Sequence, residues 1–341
     1  MNRMLLALVS VFVMAGCASE PEPASFDSAL YDGRPVDTLT SELAPLTEQE
    51  AITRGDLALS SGNTDLALYE YIRSVEFPDA KYQDKSLYTI GRIHYSRGNL
   101  PLSEKAYLMA LDYNPNNIKV LEHLGAMYSK QGDVEQGKSY FFRALNADQV
   151  RLNNAKMLDG DVVTVASVKS LQVDNESPAL AYMGLGVLYD VEAKHDIAKA
   201  LLHKALKIKT NSVKTLVNLG YSYYMSGEYP DAQRYTLAAL EKDPTNEKAQ
   251  NNLALIYLGK DEVKRAINVF MRHMSAPEAL NNVGYFLILQ GKPDKAIPYL
   301  QQAIDKKPSY YKVANENLER ALAEVRAKES QKAEQQEEVV Q

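Results

Sequence analysis

Cysteine is nearly absent: Cys17 is the single one in 341 residues. Nothing after it can form a disulfide within the chain or supply thiolates to a zinc cluster. Tryptophan is missing, and histidine occurs five times, at 94, 123, 195, 203 and 273, with no His-Glu-x-x-His pair. A zinc site would therefore need ligands brought together only by the fold. There is no phosphate-binding loop, no Gly-x-Ser-x-Gly and no nucleophile-base pairing legible as a triad. Gly184-Leu-Gly186 begins as a dinucleotide loop begins, but the third glycine is missing and helical periodicity surrounds it with no strand before it. Positive charge is also short: the net charge is −6, which gives no basic field for nucleic acid. What is present is ordinary globular material, 45% apolar and 24% charged.

The stretch 213–244 organises the rest. Its apolar and small residues recur at helical spacing on both sides of a break at Gly227, which predicts two amphipathic helices joined by a tight turn. Gly220 and Ala232 are small where the helices must cross, and Leu219 and Tyr223 fill the space beside them. Gly227 suits the left-handed end of the first helix, and Pro244 stops the second. The pattern returns at Gly55, Gly91, Gly125, Gly186 and Gly284, and at Ala254 in place of the glycine. Successive anchors are 36, 34, 61, 34, 34 and 30 residues apart. Many of the 22 tyrosines occupy the packing positions of this pattern, so they read as core before they read as a stacking platform for bases.

A helix-turn-helix period of 34 residues resembles the tetratricopeptide (TPR) repeat, over roughly residues 48–325. The resemblance implies an all-α fold, a right-handed α-solenoid of about seven hairpins with a concave inner surface, each hairpin burying its apolar face on its neighbours. Repeats 1–3 fall in residues 47–151 and repeats 4–7 in 179–308, with 309–326 as a capping helix and 327–341 a charged tail expected to fray. Residues 152–178 are an insertion expected to split the solenoid. Periodicity leaves open whether it holds a lengthened helix with a short extra one, or a short strand; helices are preferred because an isolated strand has no ladder partner.

Residues 1–17 read as a processing segment: Arg3, an apolar run over residues 4–13, then Met14-Ala15-Gly16-Cys17. At about ten residues the run is too short to cross a bilayer as a permanent helix. It resembles a bacterial lipoprotein signal, with Met14 in place of the commoner leucine. The resemblance implies a covalent lipid on Cys17 and no other cofactor, and several acyl chains would anchor stably. Ala18 and Ser19 follow where an aspartate would favour the inner membrane, so the expected location is the outer membrane, periplasmic face. Residues 18–46, with Pro21, Pro23, Pro35 and Pro45, read as a disordered tether.

With no catalytic constellation in view, recognition by the inner face is the expected activity. Asn218, Asn252 and Asn282 each stand two residues before a repeat anchor. They are expected either to pair with the backbone of a bound peptide or to cap a neighbouring backbone group. Tyr221, Tyr224 and Tyr285 are expected near the same path.

The segments from Asp174 to Tyr189, Asn281-Asn-Val-Gly-Tyr285, and Ala303 to Tyr311 leading to Asn317-Leu318 resemble TadD lipoproteins of the tight-adherence (Flp, or Tad) pilus system. That resemblance implies a non-catalytic, pilotin-like role, tethered by lipid and holding a segment of an outer-membrane secretin or another pilus-assembly component. An envelope adaptor resembling NlpI, docking peptidoglycan hydrolases, is the rival expectation. An enzyme is a third, for which no reacting pair is visible.

Overall fold

A computed structural model describes residues 28–40, 43–307 and 309–340, and these residues form sixteen α-helices and no strand. The fold is all-α, a solenoid of seven helical hairpins. These are α1 (Glu48–Ser60) with α2 (Thr64–Val75), α3 (Gln83–Ser96) with α4 (Leu100–Tyr113), and α5 (Ile118–Gln131) with α6 (Val134–Arg151). A short α7 (Val165–Ser170) follows, then α8 (Ala179–Val191) with α9 (His195–Ile208) and α10 (Val213–Met225) with α11 (Tyr229–Lys242). Next come α12 (Glu247–Gly259) with α13 (Val263–Phe270), α14 (Ala276–Leu289) with α15 (Pro293–Asp305), and the closing α16 (Lys312–Val340).

Local chemistry explains the boundaries. Thr47, Asn63, Asn99, Asn117, Asp133, Ser212 and Asn246 each accept the N–H three residues on, satisfying a donor that the helix leaves open. After α10 the chain turns through Gly227 at φ +77°; Ala193 and Asp261 adopt the same left-handed conformation, at φ 58° and 57°, where no glycine is present. Inside each hairpin the anchor meets the residue sixteen positions later. A Cβ on Gly91 would lie 2.5 Å from the Tyr107 ring, one on Gly125 2.5 Å from Phe141, and one on Gly284 2.4 Å from Leu300. The small anchor therefore lets a large side chain lie across the first helix.

The helices group into two compact units, one ending at Pro115 and one beginning at Asn116. This corrects the expectation that the insertion divides the solenoid. In the second unit α8 packs directly on α5 and α6, on the far side of the insertion. Pro178, which precedes α8, has no side-chain acceptor to offer its first N–H groups. Glu122 of α5 takes that place: one carboxyl oxygen accepts from Leu180 N at 2.8 Å and from Ala181 N at 3.0 Å.

Burial pushes the Glu122 carboxyl up to about 7, against the pull of those two N–H groups. With the folded value above the unfolded one, the native state binds the extra proton, so its contribution is complete below about pH 4.5 and is lost as pH rises through about 7. The second unit should lose up to about 3 kcal/mol over that window. Glu122→Gln should remove most of this slope; melts of the two proteins that run parallel from pH 4.5 to 7.5 would exclude the assignment.

In the first unit residues 28–40 do not continue a disordered tether. They form two short 3-10 turns, Ser28–Leu30 and Val36–Thr38, and Leu30 is buried. His94 stands where other hairpins carry tyrosine, and its Nε2 pairs with Leu30 O at 2.9 Å. Asp32 receives Arg97 at 2.8 Å and Asn99 at 3.0 Å, while Arg34 and Arg97 share Asp65 at 3.0 and 2.6 Å. The polar residues that end α3 and begin α4 thus form a socket for this segment. Residues 1–27, including the signal and Cys17, lie outside the described residues, as does Pro308.

The C-terminus also differs from expectation: α16 runs on through the charged tail to Val340. Its Ala-, Glu-, Lys- and Gln-rich sequence has high helix propensity. Lys328 further ties it to the end of α14, donating to Gly291 O at 2.6 Å, where a cation meets the negative end of that helix.

Candidate functional site

In the second unit the first helices of successive hairpins pack on one another, α8 on α10, α10 on α12 and α12 on α14. They present a continuous face. It bends far enough that Gln290, just past α14, donates to the Tyr224 hydroxyl on α10 at 3.3 Å, passing over the hairpin between them.

The expected asparagine ladder is not what this face carries. Asn252 is buried and donates to Val217 O at 3.1 Å, so it clips α12 to α10. Asn282 is half-buried with its amide 3.3 Å from the Met274 sulfur. The Asn252 amide caps a backbone carbonyl of the neighbouring first helix, the second of the two roles expected of it, whereas Asn282 meets only the loop that leads into its own helix. Asn218 is half-buried, as Asn282 is. It lies on the rim of two cavities: one of about 390 Å³ with Met183, Lys214, Val217, Asn246, Glu247 and Lys248, and one of about 110 Å³ with Val187, Asp190, Val191 and Tyr221.

The tyrosines divide similarly. Tyr221 and Tyr285 are exposed, and Tyr221 tilts against Tyr224 with ring centroids 6.4 Å apart. Tyr224 is largely covered, and burial raises its hydroxyl above the ordinary tyrosine range. The exposed apolar side chains on this face are Val187, Val191, Tyr221, Met225, Tyr285 and Leu289.

Asp190 was not picked out by the sequence reading. It is the only charged residue of α8, and its side chain is 6% exposed. His195 Nδ1 and Ser222 Oγ both meet the same Asp190 oxygen, Oδ1, at 2.9 and 2.8 Å. Burial raises the carboxyl above its usual range despite those bonds. Serine, histidine and aspartate thus gather, but with the aspartate between the other two. Ser222 is buried and its hydroxyl donates to the carboxylate, not to the imidazole, so the cluster lacks the serine–histidine contact of a nucleophilic triad.

The tetratricopeptide repeat pattern matches residues 213–246, hairpin 5, and again residues 277–310, hairpin 7. The chain carries tetratricopeptide repeats at these two hairpins. Among curated relatives, the anaphase-promoting complex subunit CDC16 of Saccharomyces cerevisiae is 23% identical over 210 residues, covering 55% of this chain and 25% of that protein. The BBSome complex member BBS4 of Bos taurus is 24% identical over 245 residues, 68% of this chain and 47% of that protein. The chain thus spans a quarter to under half of these relatives. Among solved structures, a tetratricopeptide repeat protein of Parabacteroides merdae aligns over 81% of this chain and 98% of its own, at 17% identity and TM-score 0.48. The pilF protein of Pseudomonas aeruginosa aligns over 66% and 90%, at 17% identity and TM-score 0.49.

One further polar site of this TPR stack lies on α6. Asn146 donates to Leu158 O and accepts from Leu158 N, both at 2.9 Å. Gln149 treats Gln172 the same way, donating to its O at 3.0 Å and accepting from its N at 2.9 Å. Two-way amide pairing with an extended backbone, expected of the groove asparagines, is used here to hold the insertion. The signal for it was the length of α6, whose last turns carry Asn146 and Gln149 beyond the usual hairpin end. Among the described residues no helix is long and apolar enough to cross a membrane.

Proposed function

We propose that this protein is a non-catalytic scaffold that binds an extended segment of a protein partner along the first-helix face of hairpins 4 to 7. The observation that carries this is the pair of cavities joined at Asn218, bordered by exposed Val187, Val191 and Tyr221. Apolar contact area with a few free polar groups is what peptide recognition needs. The resemblance to TadD lipoproteins supports a finer reading: Cys17 is lipidated, the body stands at the periplasmic face of the outer membrane, and the partner is the pilus secretin or another assembly component. Function then lies in raising the partner's effective concentration at the membrane. With residues 28–34 seated on the first unit, ten residues separate Cys17 from Ser28. They span at most about 35 Å, which keeps the repeats close to the lipid.

Two measurements test the reading. Cys17→Ser should leave the protein unextracted with outer membranes and secretin assembly lost; a variant that still fractionates with outer membranes and still supports pili would exclude the lipid tether. A photo-crosslinker at Tyr221 should capture the secretin in cells. Capture of a peptidoglycan hydrolase instead, with pili unaffected by deletion, would favour the envelope-adaptor reading.

A further inference from the structure

We infer that the small cavity between α8 and α10 is a specificity pocket for one lysine side chain of the bound segment, an inference that rests on the groove reading above. Its walls are Val187, Val191 and Tyr221, and its polar groups are Asp190 and Asn218. At about 110 Å³ it admits one slender side chain, not an aromatic ring.

Charge placement selects the occupant. Asp190 is more than nine-tenths buried and lines this cavity. Its Oδ1 receives both His195 and Ser222, and among the described residues no hydrogen-bond donor reaches Oδ2. The pocket thus offers one carboxylate oxygen in a sheltered place, where a charge-assisted bond is stronger than at the surface. The Asn218 side chain makes no hydrogen bond among the described residues and supplies a second acceptor, and the exposed Tyr221 ring can take a cation on its face.

A lysine ammonium, with three rotatable donors, fits one carboxylate oxygen, one amide oxygen and a ring. An arginine fork is less well served, because its paired donors need both carboxylate oxygens and Oδ1 is already doubly occupied. The stem of a lysine would lie against Val187 and Val191, burying methylene groups while the head reaches the floor.

The probe is a set of acetylated, amidated peptide pools, each with a fixed central lysine, arginine, norleucine or glutamate in an otherwise randomised nonamer, bound to the full chain. Lysine pools should bind about tenfold or more tighter than norleucine pools, the usual size of a charge-assisted hydrogen bond in a sheltered site. Asp190→Asn should bring the ratio to within about twofold, close to parity on the affinity scale. Since Asp190 also orders His195 and Ser222, a second variant guards against misfolding. Val191→Lys adds a basic side chain at the exposed rim, leaves the buried bonds intact, and should abolish the preference by filling the pocket from within, with an unchanged melt. Lysine and norleucine pools that bind the parent alike, or a preference that survives both variants, would overturn the pocket and leave the groove standing. Failure of every pool to bind would overturn both.

Discussion

Gly220→Leu should destabilise the second unit by about 1 to 3 kcal/mol or more, through overpacking at the crossing of α10 and α11. Even a bare Cβ at this position would lie 2.2 Å from Thr236 Oγ1, with Thr236 N at 3.3 Å and Ala232 O at 3.4 Å behind it. The hydroxyl can turn away, but the backbone atoms cannot, so a leucine must push α11 off α10. Glycine to leucine inside a helix gains up to about 1 kcal/mol in propensity, which offsets only part of the strain. Thr236 is itself buried, with Oγ1 unpaired, so Thr236→Ala removes the first clash without losing a bond. Adding it to Gly220→Leu should therefore recover part of the loss. Because each hairpin is stabilised by its neighbours, destabilisation should spread into hairpins 4 and 6. A urea melt unchanged from the parent, or a double variant no better than the single one, would show that the two helices do not cross here.

That crossing could be read in the sequence, for a physical reason. The partner of each anchor is fixed by a short helix, a tight turn and a second helix, so Gly91 meets Tyr107, Gly125 meets Phe141 and Gly284 meets Leu300 at one constant separation. Hairpin number and turn positions follow from the same local geometry, whereas the insertion, for which periodicity left helices and a short strand both open, forms a lengthened α6 and the short α7. Contacts between hairpins were less legible. Asn218 and Asn252 occupy equivalent positions, yet one opens to a cavity and the other is buried on Val217 O, because only tertiary packing decides which amide is covered. Asp190 shows the same limit. A lone carboxylate in an apolar helix was visible, but its pairing with Ser222, thirty-two residues on, depends on how α8 meets α10. Residues 28–34 looked like linker because proline and polar residues read as unpartnered until the Arg97 and His94 socket is seen.

Asn146→Ala combined with Gln149→Ala should detach the insertion from α6 while leaving the rest of the stack folded. Four hydrogen bonds between those side chains and the backbone of Leu158 and Gln172 disappear together. At about 0.5 to 1.5 kcal/mol for each neutral bond, the loss is about 2 to 6 kcal/mol if the contributions add. Part of this should be recovered by water, since Gln172 is exposed once its backbone is released. The insertion has other holds: Leu158, Val168 and Leu171 are buried, Lys204 donates to the carbonyls of Lys169 and Leu171, and Arg151 binds Asp174 at 2.7 Å. Release should therefore appear first as local opening and not as global unfolding. Hydrogen exchange separates the two: the Leu158 and Gln172 amides should lose protection, while amides of α14 and α15 keep theirs. Unchanged protection at Leu158 and Gln172 would show that the apolar contacts alone hold the segment. Loss of protection throughout the second unit would show instead that the insertion is an integral part of the stack, which hairpins 3 and 4 need in order to pack.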